Sequence, residues 1–148
     1  MKGMLLRTLP VMLAALVATA GMAHAGESDM EKIRITVGEQ VLTAVLLDNA
    51  TSRDFLSLLP LTLSMRDFAG KEKVSPELPK PLDTSDAPSG FDPSVGDITY
   101  YAPWGNLALF YRDGEYASGL VFMGRFDGGM EAFQGLDKNF EITIERME

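Results

Sequence analysis

The sequence predicts a mainly β domain, a small closed β-barrel with two short helices, and three observations lead to this fold class. Apolar and polar residues alternate in several short segments, as they do in strands with one buried and one exposed face. Turn residues separate these segments, and two stretches have helical spacing. The polar faces of the first and last segments carry opposite charges, so their pairing would close the sheet. An open sandwich is the alternative architecture.

The first 25 residues have the pattern of a secretory signal peptide. Lys2 and Arg7 precede an apolar run at residues 9–20, and residues 23–25 (Ala-His-Ala) provide the small-x-small pattern of a cleavage site. A membrane anchor needs about 20 apolar residues, and this run is shorter. We therefore expect cleavage after residue 25 and one secreted domain, residues 26–148. This domain would be periplasmic in a Gram-negative cell and would have no membrane attachment after cleavage.

Loss of the signal peptide would also remove the single histidine, His24, from a chain that has no cysteine. A domain with neither residue cannot use Ser-His-Asp or Cys-His catalysis, and it cannot bind zinc, haem or iron–sulfur clusters through those side chains. The composition therefore predicts no metal and no cofactor. Without Lys2 and Arg7, 11 basic residues stand against 21 acidic ones, a net charge of −10. With no basic cluster in the sequence, a nucleic acid is not an expected partner.

A hairpin and a helix are the first predicted elements of the domain. Apolar and polar side chains alternate at residues 33–37, which predicts a strand with one solvent-exposed face, and residues 38–40 are predicted to form a turn. Residues 41–47 are apolar on both faces, so we expect this second strand to be covered on both sides. Thr51 and Asp54 then fit a capping box, which predicts the start of a short helix.

The third predicted strand, residues 61–68, carries an arginine and a phenylalanine on its polar face. Arg66 and Phe68 are two residues apart, so their side chains should lie on the same side of the strand. One interpretation is a surface arginine whose aliphatic stem packs against the protein while its charged group stays in water. The other is an arginine that holds a carbonyl or carboxylate beside an aromatic ring.

Residues 71–94 have no periodicity and contain five prolines, which predicts one long loop. Leu78 and Leu82 would attach this loop to the barrel. Its carboxylates lack the alternating oxygen ligands of a calcium-binding loop, so we interpret them as solvated.

Residues 96–111 predict a central β-hairpin, because two alternating segments flank a Pro-Trp-Gly turn. Trp104, the only tryptophan of the chain, lies at the tip of this hairpin. Tyr100 and Tyr101 precede the turn, and aromatic residues at this spacing belong either to the core or to a binding surface.

Two strands and a helical turn are predicted in the remainder of the chain. The acidic face of the last strand, with Glu141 and Glu145, would lie beside Lys32 and Arg34 of the first strand. The strands are residues 120–126 and 140–145, and the helical turn is residues 130–136.

Several segments of the chain indicate a protein family more specifically together than each does alone. They are the hairpin at residues 96–111, LPLTLSMRDF at 59–68, Glu-Lys at 72–73 with Leu-Pro at 78–79, and ITIE at 142–145. With these segments in this order, the chain resembles the cyclophilin-like fold proteins, small prokaryotic domains that mostly have no assigned activity. The resemblance covers nearly all of residues 26–148. It implies an eight-stranded barrel with two helices, as in cyclophilin, a peptidyl-prolyl isomerase.

The resemblance also implies where an isomerase site would lie. In such a site an arginine hydrogen-bonds the substrate carbonyl and approaches the proline nitrogen, which lowers the barrier of about 20 kcal/mol to rotation of the peptide bond. Arg66 is the matching position, and Phe68, Phe122 and Met123 would form the pocket for the proline ring.

Two functions of different classes stay open. We favour a non-catalytic binding module, because the histidine and tryptophan of the cyclophilin pocket have no match here. The alternative is a weak peptidyl-prolyl cis-trans isomerase that uses the same face, and carboxylate-only hydrolysis by Asp127 and Glu131 is a third reading. The sequence indicates no oligomeric state. The surface that would hold a peptide segment or a small anionic ligand comprises Arg66, Phe68, Tyr100, Tyr101 and Trp104.

Overall fold

The computed structural model describes residues 30–148, so the predicted signal peptide and its cleavage site lie outside the described residues. The described residues form ten β-strands, one α-helix and one 3-10 turn. In chain order these are β1 (Glu31–Val37), β2 (Gln40–Leu46), α1 (Ala50–Leu56), β3 (Leu61–Phe68), β4 (Glu72–Glu77), β5 (Gly90–Phe91), β6 (Asp97–Tyr101), β7 (Asn106–Phe110), β8 (Ala117–Ser118), β9 (Leu120–Phe126), the 3-10 turn (Met130–Ala132) and β10 (Phe140–Arg146).

Eight strands form a closed antiparallel barrel in the order β1-β10-β3-β4-β7-β6-β9-β2, which closes between β2 and β1. The predicted pairing of the first and last strands is confirmed, and Arg34 Nη2 donates a hydrogen bond to Glu145 Oε2 at 2.9 Å. Glu141 lies opposite Ser64 of β3 instead, so the second expected ion pair, with Lys32, is not formed. The open sandwich is therefore wrong.

The inward-pointing side chains of the strands fill the barrel with apolar groups. Each fully buried aliphatic side chain stabilises the fold by about 1.5–3 kcal/mol, so this interior holds together a chain that has no cysteine for a disulfide. Buried members from three strands are Ile33, Ile35, Met65, Ile142 and Ile144.

The outer face of β2 is more open than the sequence predicts. Ala44 and Leu46 point into the barrel and are fully buried, but Val41 and Leu47 are exposed. The expectation that residues 41–47 are covered on both sides is wrong, because only the inner face of this segment packs against the core.

The N-cap of helix α1 lies two residues before the predicted cap. Asn49 is the N-cap residue, and its Oδ1 accepts a hydrogen bond from the Ser52 backbone N–H at 2.8 Å. Thr51 lies inside the helix, where its buried hydroxyl donates to the carbonyl of Asp83 at 2.6 Å. The capping box predicted at Thr51 is therefore wrong, because tertiary contact with the long loop uses that hydroxyl.

The second predicted helix is only a 3-10 turn, Met130–Ala132. Gly129 and Gly135 both have a positive φ, of 82° and 78°, and they bound too few residues for a helical nucleus to propagate. Phe133 nevertheless packs into the core as the helical spacing suggested.

Residues 71–94 are not one continuous loop, because residues 72–77 form strand β4 between β3 and β7. The register of β4 against β7 shifts between Val74 and Glu77, and Pro76 lies in that irregular stretch, where its missing N–H breaks no regular ladder. Residues 90–91 also form a strand, β5, and the remainder of the segment is irregular as predicted. Leu78 and Leu82 are buried in the core cluster and attach it to the barrel.

A second apolar cluster lies on the outside of the barrel. The central hairpin of β6 and β7 is confirmed, and outward-facing side chains of β4, β7 and β9 meet there beneath the two-stranded ribbon of β5 and β8. The candidate site lies against this outer cluster. The buried members of the cluster are Val74, Ala108, Phe110 and Leu120.

Candidate functional site

A cleft of about 330 Å³ opens on the outer face of the barrel. It lies between the end of β3, the tip of the β6–β7 hairpin and the segment that leads into β8. We call it the aromatic cleft, because five of its eleven lining residues are aromatic. The lining residues are Phe68, Lys71, Glu72, Tyr101, Trp104, Phe110, Gly114, Glu115, Tyr116, Ala117 and Leu120.

Three rings on one side of the aromatic cleft meet edge to face. The Trp104 and Phe68 ring centroids are 5.5 Å apart at an interplanar angle of 85°, and those of Trp104 and Tyr101 are 5.3 Å apart at 78°. Edge-to-face pairs stabilise one another beyond the area they bury. The Trp104 ring is therefore held in place although it lies at the tip of a turn.

The aromatic rings of this cleft are unusually exposed for their size. Phe68 is 36% exposed, Trp104 49% and Tyr116 60%, and within residues 30–148 these are the aromatic side chains among the exposed large hydrophobic residues. All three line the same cleft. Because isolated exposed apolar residues are common but grouped ones are rare, we take this cleft as the candidate functional site.

Glu72 is the titratable group that the cleft perturbs most. It is the first residue of β4, and desolvation by the surrounding apolar groups, with a smaller contribution from the negative charge of Asp67, raises the pKa of Glu72 to about 7. Among residues 30–148 the Glu72 carboxylate has neither an ion-pair partner nor a hydrogen-bond donor. A carboxylate with a shifted pKa in an apolar cleft is a candidate functional group.

Arg66 lies beside the aromatic cleft and does not line it. Its side chain is on the outer face of β3, opposite Val74, and its guanidinium carbon is 5.8 Å from the centroid of the Phe68 ring. Arg66, Phe68, Tyr101 and Trp104 therefore lie together, as the sequence predicted for the binding surface.

Three other predicted site residues lie elsewhere. Tyr100 is 2% exposed inside the barrel, where its hydroxyl accepts a hydrogen bond from the Leu82 backbone N–H at 3.2 Å. Met123 is fully buried in the same core. Phe122 lines a separate cavity of about 230 Å³ and stacks on Phe91 with centroids 4.9 Å apart.

The reason for these different positions is the two-residue alternation of strands. Tyr100 and Tyr101 are neighbours on β6, and Phe122 and Met123 are neighbours on β9, so only one member of each pair can face outward. The expectation that Tyr100 and Met123 share a surface with Arg66 is corrected by this geometry.

Sequence reasoning missed Glu72 and Tyr116 as cleft residues. Glu72 fell in the segment predicted as a loop, and Tyr116 lies in an irregular stretch before β8. The available signal for Glu72 was its place two residues before Val74, which is the spacing of one strand face. Tyr116 had no periodic signal.

A polar network lies inside the barrel on the other side of β4. The Lys73 Nζ, on a side chain only 1% exposed, donates to Asp67 Oδ1 at 2.9 Å and to the Leu136 carbonyl at 2.6 Å. The Tyr111 hydroxyl donates to the same Asp67 oxygen at 2.6 Å, and the Gly70 N–H donates to its other oxygen at 3.0 Å. The charges and donors of this network are satisfied internally, which indicates a structural role.

The pKa values in this network follow from its hydrogen bonds. Partial burial alone would raise the pKa of Asp67, but the hydrogen bonds from Tyr111, Lys73 and Gly70 outweigh it and place the pKa below its usual value. Desolvation, and then the hydrogen bond to Asp67, raise the pKa of Tyr111 to about 12. Asp67 is therefore a carboxylate and Tyr111 a neutral donor at neutral pH.

Within residues 30–148, no three His, Cys, Asp or Glu side chains are grouped in a way that could hold a metal ion. Asp127, one of the two carboxylates considered for hydrolysis, accepts a hydrogen bond from the Thr43 hydroxyl at the surface. In this part of the chain the one α-helix has seven residues, so no helix there is long and apolar enough to span a membrane.

The sequence model of the Cyclophilin-like family matches residues 35–145, three quarters of the chain. The chain belongs to the cyclophilin-like family. Its fold is similar to the solution structure of a hypothetical protein from Archaeoglobus fulgidus, with a TM-score of 0.59, 20% sequence identity, and 83% of this chain and 99% of that chain covered. At this identity the similarity supports the fold of the cyclophilin-like domain. A search of curated protein sequences finds no match.

Proposed function

We propose that this cyclophilin-like domain is a non-catalytic binding module that holds a peptide segment or a small molecule in the aromatic cleft. The observation that carries the proposal is the exposure of Phe68, Trp104 and Tyr116 on the walls of one cleft. The exposed parts of these rings contribute no hydrophobic free energy to folding. A ligand that covers them would gain the free energy of burying this apolar surface on binding.

The size of the aromatic cleft suits one side chain or ring rather than a large cofactor. Its volume of about 330 Å³ lies at the lower end of the range for small-molecule sites. Two of its walls, Phe68 and Tyr101, are terminal residues of barrel strands, so binding requires little ordering of the backbone. This geometry supports insertion of one group while the rest of a peptide lies on the surface.

The charges that line the cleft favour a peptide over the small anionic ligand considered from the sequence. Glu72 and Glu115 line the cleft together with one basic residue, Lys71. A buried anion beside the Glu72 carboxylate would be repelled at close range. We therefore place the anionic ligand second.

A second candidate function is weak peptidyl-prolyl isomerisation. The observation that favours it is the position of the Arg66 guanidinium, 5.8 Å from the Phe68 ring at the edge of the cleft. A proline ring in the cleft would leave its carbonyl near this arginine. An arginine that hydrogen-bonds this carbonyl would be the charge-stabilising group of the reaction.

The location proposed for this activity is outside the cytoplasm. The support for export is the pattern of residues 1–25, with a basic start, a short apolar run and a small-x-small end. The mass of the protein recovered from the periplasm or medium tests this point. A chain that starts at Gly26 would support export, and an uncleaved chain in the cytoplasm would overturn it.

Binding is tested with the fluorescence of Trp104, which is the only tryptophan and lines the cleft. Short capped peptides that differ only in their central residue are titrated into the protein. We expect saturable changes for a subset of peptides, weakened in the Phe68→Ala and Tyr116→Ala variants. Val41→Ala is the control, because Val41 is also exposed but lies on β2 away from the cleft. Equal weakening by all three variants, or no saturation with any peptide, would contradict the proposal.

Isomerisation is tested by NMR exchange on an Ala-Pro peptide. Wild type is compared with Arg66→Ala, and Arg34→Ala serves as a matched loss of an exposed arginine on β1, which β10 separates from β3. Acceleration that disappears only with Arg66→Ala would support the second candidate. The absence of acceleration at high protein concentration would exclude it.

A further inference from the structure

The aromatic cleft contains an acidic side chain without a partner. The Glu72 carboxylate is partly buried and, among residues 30–148, meets no basic group within ion-pair distance and no hydrogen-bond donor. Lys71 lines the same cleft but does not pair with it. A buried charge normally has a partner, because its desolvation is costly otherwise. The position of Glu72 at the cleft surface leaves room for a ligand to supply that partner.

Aromatic rings line the same cleft as Glu72. Phe68 and Tyr101 each stand nearly perpendicular to Trp104, at 85° and 78°, so the planes of the rings that line the cleft run in different directions. The face of an aromatic ring attracts cations, and the attraction is strongest for tryptophan. The guanidinium carbon of Arg66 lies 5.8 Å from the Phe68 ring centroid, so this ring already contacts one cation of the chain.

Other charged groups of both signs lie near the cleft. Glu115 adds a second carboxylate to the lining. Asp67 on β3 acts on Glu72 as a further negative charge, and Lys73 on β4 points into the barrel and is neutralised by Asp67. Strands β6 and β7 contribute only Asp97, which is paired with Arg125 away from the cleft. Lys71, the guanidinium of Arg66 beside the Phe68 ring and, beyond them, the exposed Arg112 are the cations on this side.

We propose that the group inserted into the aromatic cleft is an organic cation, an ammonium or guanidinium, with Glu72 as its counter-ion and Trp104, Phe68 and Tyr101 as its aromatic walls. This inference rests on the proposed binding function and names its ligand class. The cation comes either from a Lys or Arg side chain of a peptide or from a small quaternary ammonium compound. The chemistry recognised is the same in both cases.

The decisive comparison uses two probes of equal shape and different charge. Choline and 3,3-dimethyl-1-butanol differ in that a quaternary nitrogen of the first is a neutral carbon in the second. Titrations of each are followed by Trp104 fluorescence. We expect choline to bind at least about tenfold more tightly, since a desolvated cation–π contact contributes more than a neutral isostere gains. Equal or tighter binding of the alcohol would overturn the cation proposal.

Variants then assign the preference to Glu72. Glu72→Gln keeps the size of the side chain and removes the charge, so the preference for choline should fall towards unity. Glu115→Gln is the matched control, since it removes an exposed carboxylate of the same cleft, and it should change the preference much less. An unchanged preference in Glu72→Gln would show that the counter-ion is elsewhere.

The pH dependence provides a readout that a purely structural role of Glu72 would not give. Choline does not titrate, and the pKa of Glu72 is raised to about 7. Choline affinity should therefore increase as pH rises through about 7 in wild type and stay flat in Glu72→Gln. A flat profile in wild type would contradict the role of Glu72.

Capped lysine and arginine amides separate the two sources of the cation. Binding of either amide as tight as choline supports a peptide ligand, and binding of choline alone supports a small quaternary ammonium compound. Failure of every cation, together with saturable binding of a neutral peptide, would refute the cation proposal and leave the binding module intact. Failure of every probe would refute both.

Discussion

Removal of the Asp67 carboxylate should destabilise the protein far more than its partly exposed position suggests. Lys73 is 1% exposed, and Asp67 is its ion-pair partner in the described chain. In the Asp67→Ala variant, the ammonium group stays buried with one acceptor, the Leu136 carbonyl at 2.6 Å, and the Tyr111 ring at 4.8 Å. The Tyr111 hydroxyl loses its acceptor at the same time.

The magnitude follows from these contacts. Breaking a buried ion pair by removal of one partner costs about 3–5 kcal/mol of unfolding free energy. Loss of the acceptor for Tyr111 adds about 1 kcal/mol. Because Asp67 itself is 28% exposed, water enters the space that its side chain leaves and offsets part of both costs. We therefore expect a loss of about 4 kcal/mol for Asp67→Ala.

Urea denaturation followed by circular dichroism measures this loss. Glu145→Ala is the control, because it breaks the exposed pair with Arg34, in which the side chains are 39% and 45% exposed. That pair should contribute about 0–1 kcal/mol. Lys73→Met in the Asp67→Ala background removes the buried charge and should restore most of the lost stability.

Two results would refute this reasoning. A loss for Asp67→Ala no larger than for Glu145→Ala would mean that water reaches Lys73 despite its burial. A failure of Lys73→Met to restore stability would mean that the loss comes from the β3–β4 turn, where Gly70 N–H bonds the same carboxylate, and not from the charge.

Three further predictions concern single positions. Gly124→Ala should cost about 1–3 kcal/mol in urea denaturation, because a Cβ there would contact the Val45 carbonyl oxygen in the barrel wall; a neutral effect would contradict this packing. Asn49→Ala should lose about 1–2 kcal/mol in urea denaturation, because it removes both the oxygen that caps α1 and the amide Nδ2 that donates to the Phe122 carbonyl at 3.1 Å; an unchanged urea midpoint would exclude a stabilising role for both contacts. The pKa of Glu72 is about 7 when folded and 4.5 in the unfolded reference, so the native state binds the proton more tightly and wild type should lose stability as pH rises between these values. Glu72→Gln should remove this loss, about 3 kcal/mol at most, in melts compared across that range.

The barrel was predictable because its strands carry a local signal. Alternation at residues 33–37, 61–68, 120–126 and 140–145 matches β1, β3, β9 and β10 closely. Strands β1, β3 and β10 bury one face and expose the other, whereas β9 is largely buried on both faces. The opposite charges of Arg34 and Glu145 were enough to indicate that the first and last strands pair and close the barrel.

Strand β4 was not predictable from the same signal, because polar side chains occupy its inner face. Lys73 and Ser75 point inward and are buried, which inverts the usual pattern. Their burial depends on partners brought by folding: Asp67 for the lysine, and the Leu107 N–H, which donates to the Ser75 hydroxyl at 2.9 Å. A local pattern holds no information on such partners.

The candidate site was half predictable for a related reason. The neighbours Arg66 and Phe68 share a face by simple alternation, and Trp104 follows from the turn. Which of Tyr100 and Tyr101 faces outward depends on where the hairpin sits in the barrel, and the β6–β9 register shifts between Ile98 and Thr99. That register shift arises from the pairing of strands that are distant in sequence, so the local sequence does not predict it.

The closed barrel limits which parts of this domain can contact a ligand. Each barrel strand already has two neighbours, so no free edge remains on these strands to bind a peptide by strand addition. In the proposed binding function, ligand choice would therefore depend on side chains, and Trp104 and Tyr116 come from connecting segments rather than from strands. Evolution can exchange such residues while the buried interior keeps the architecture, so relatives with one shape can discriminate very different molecules.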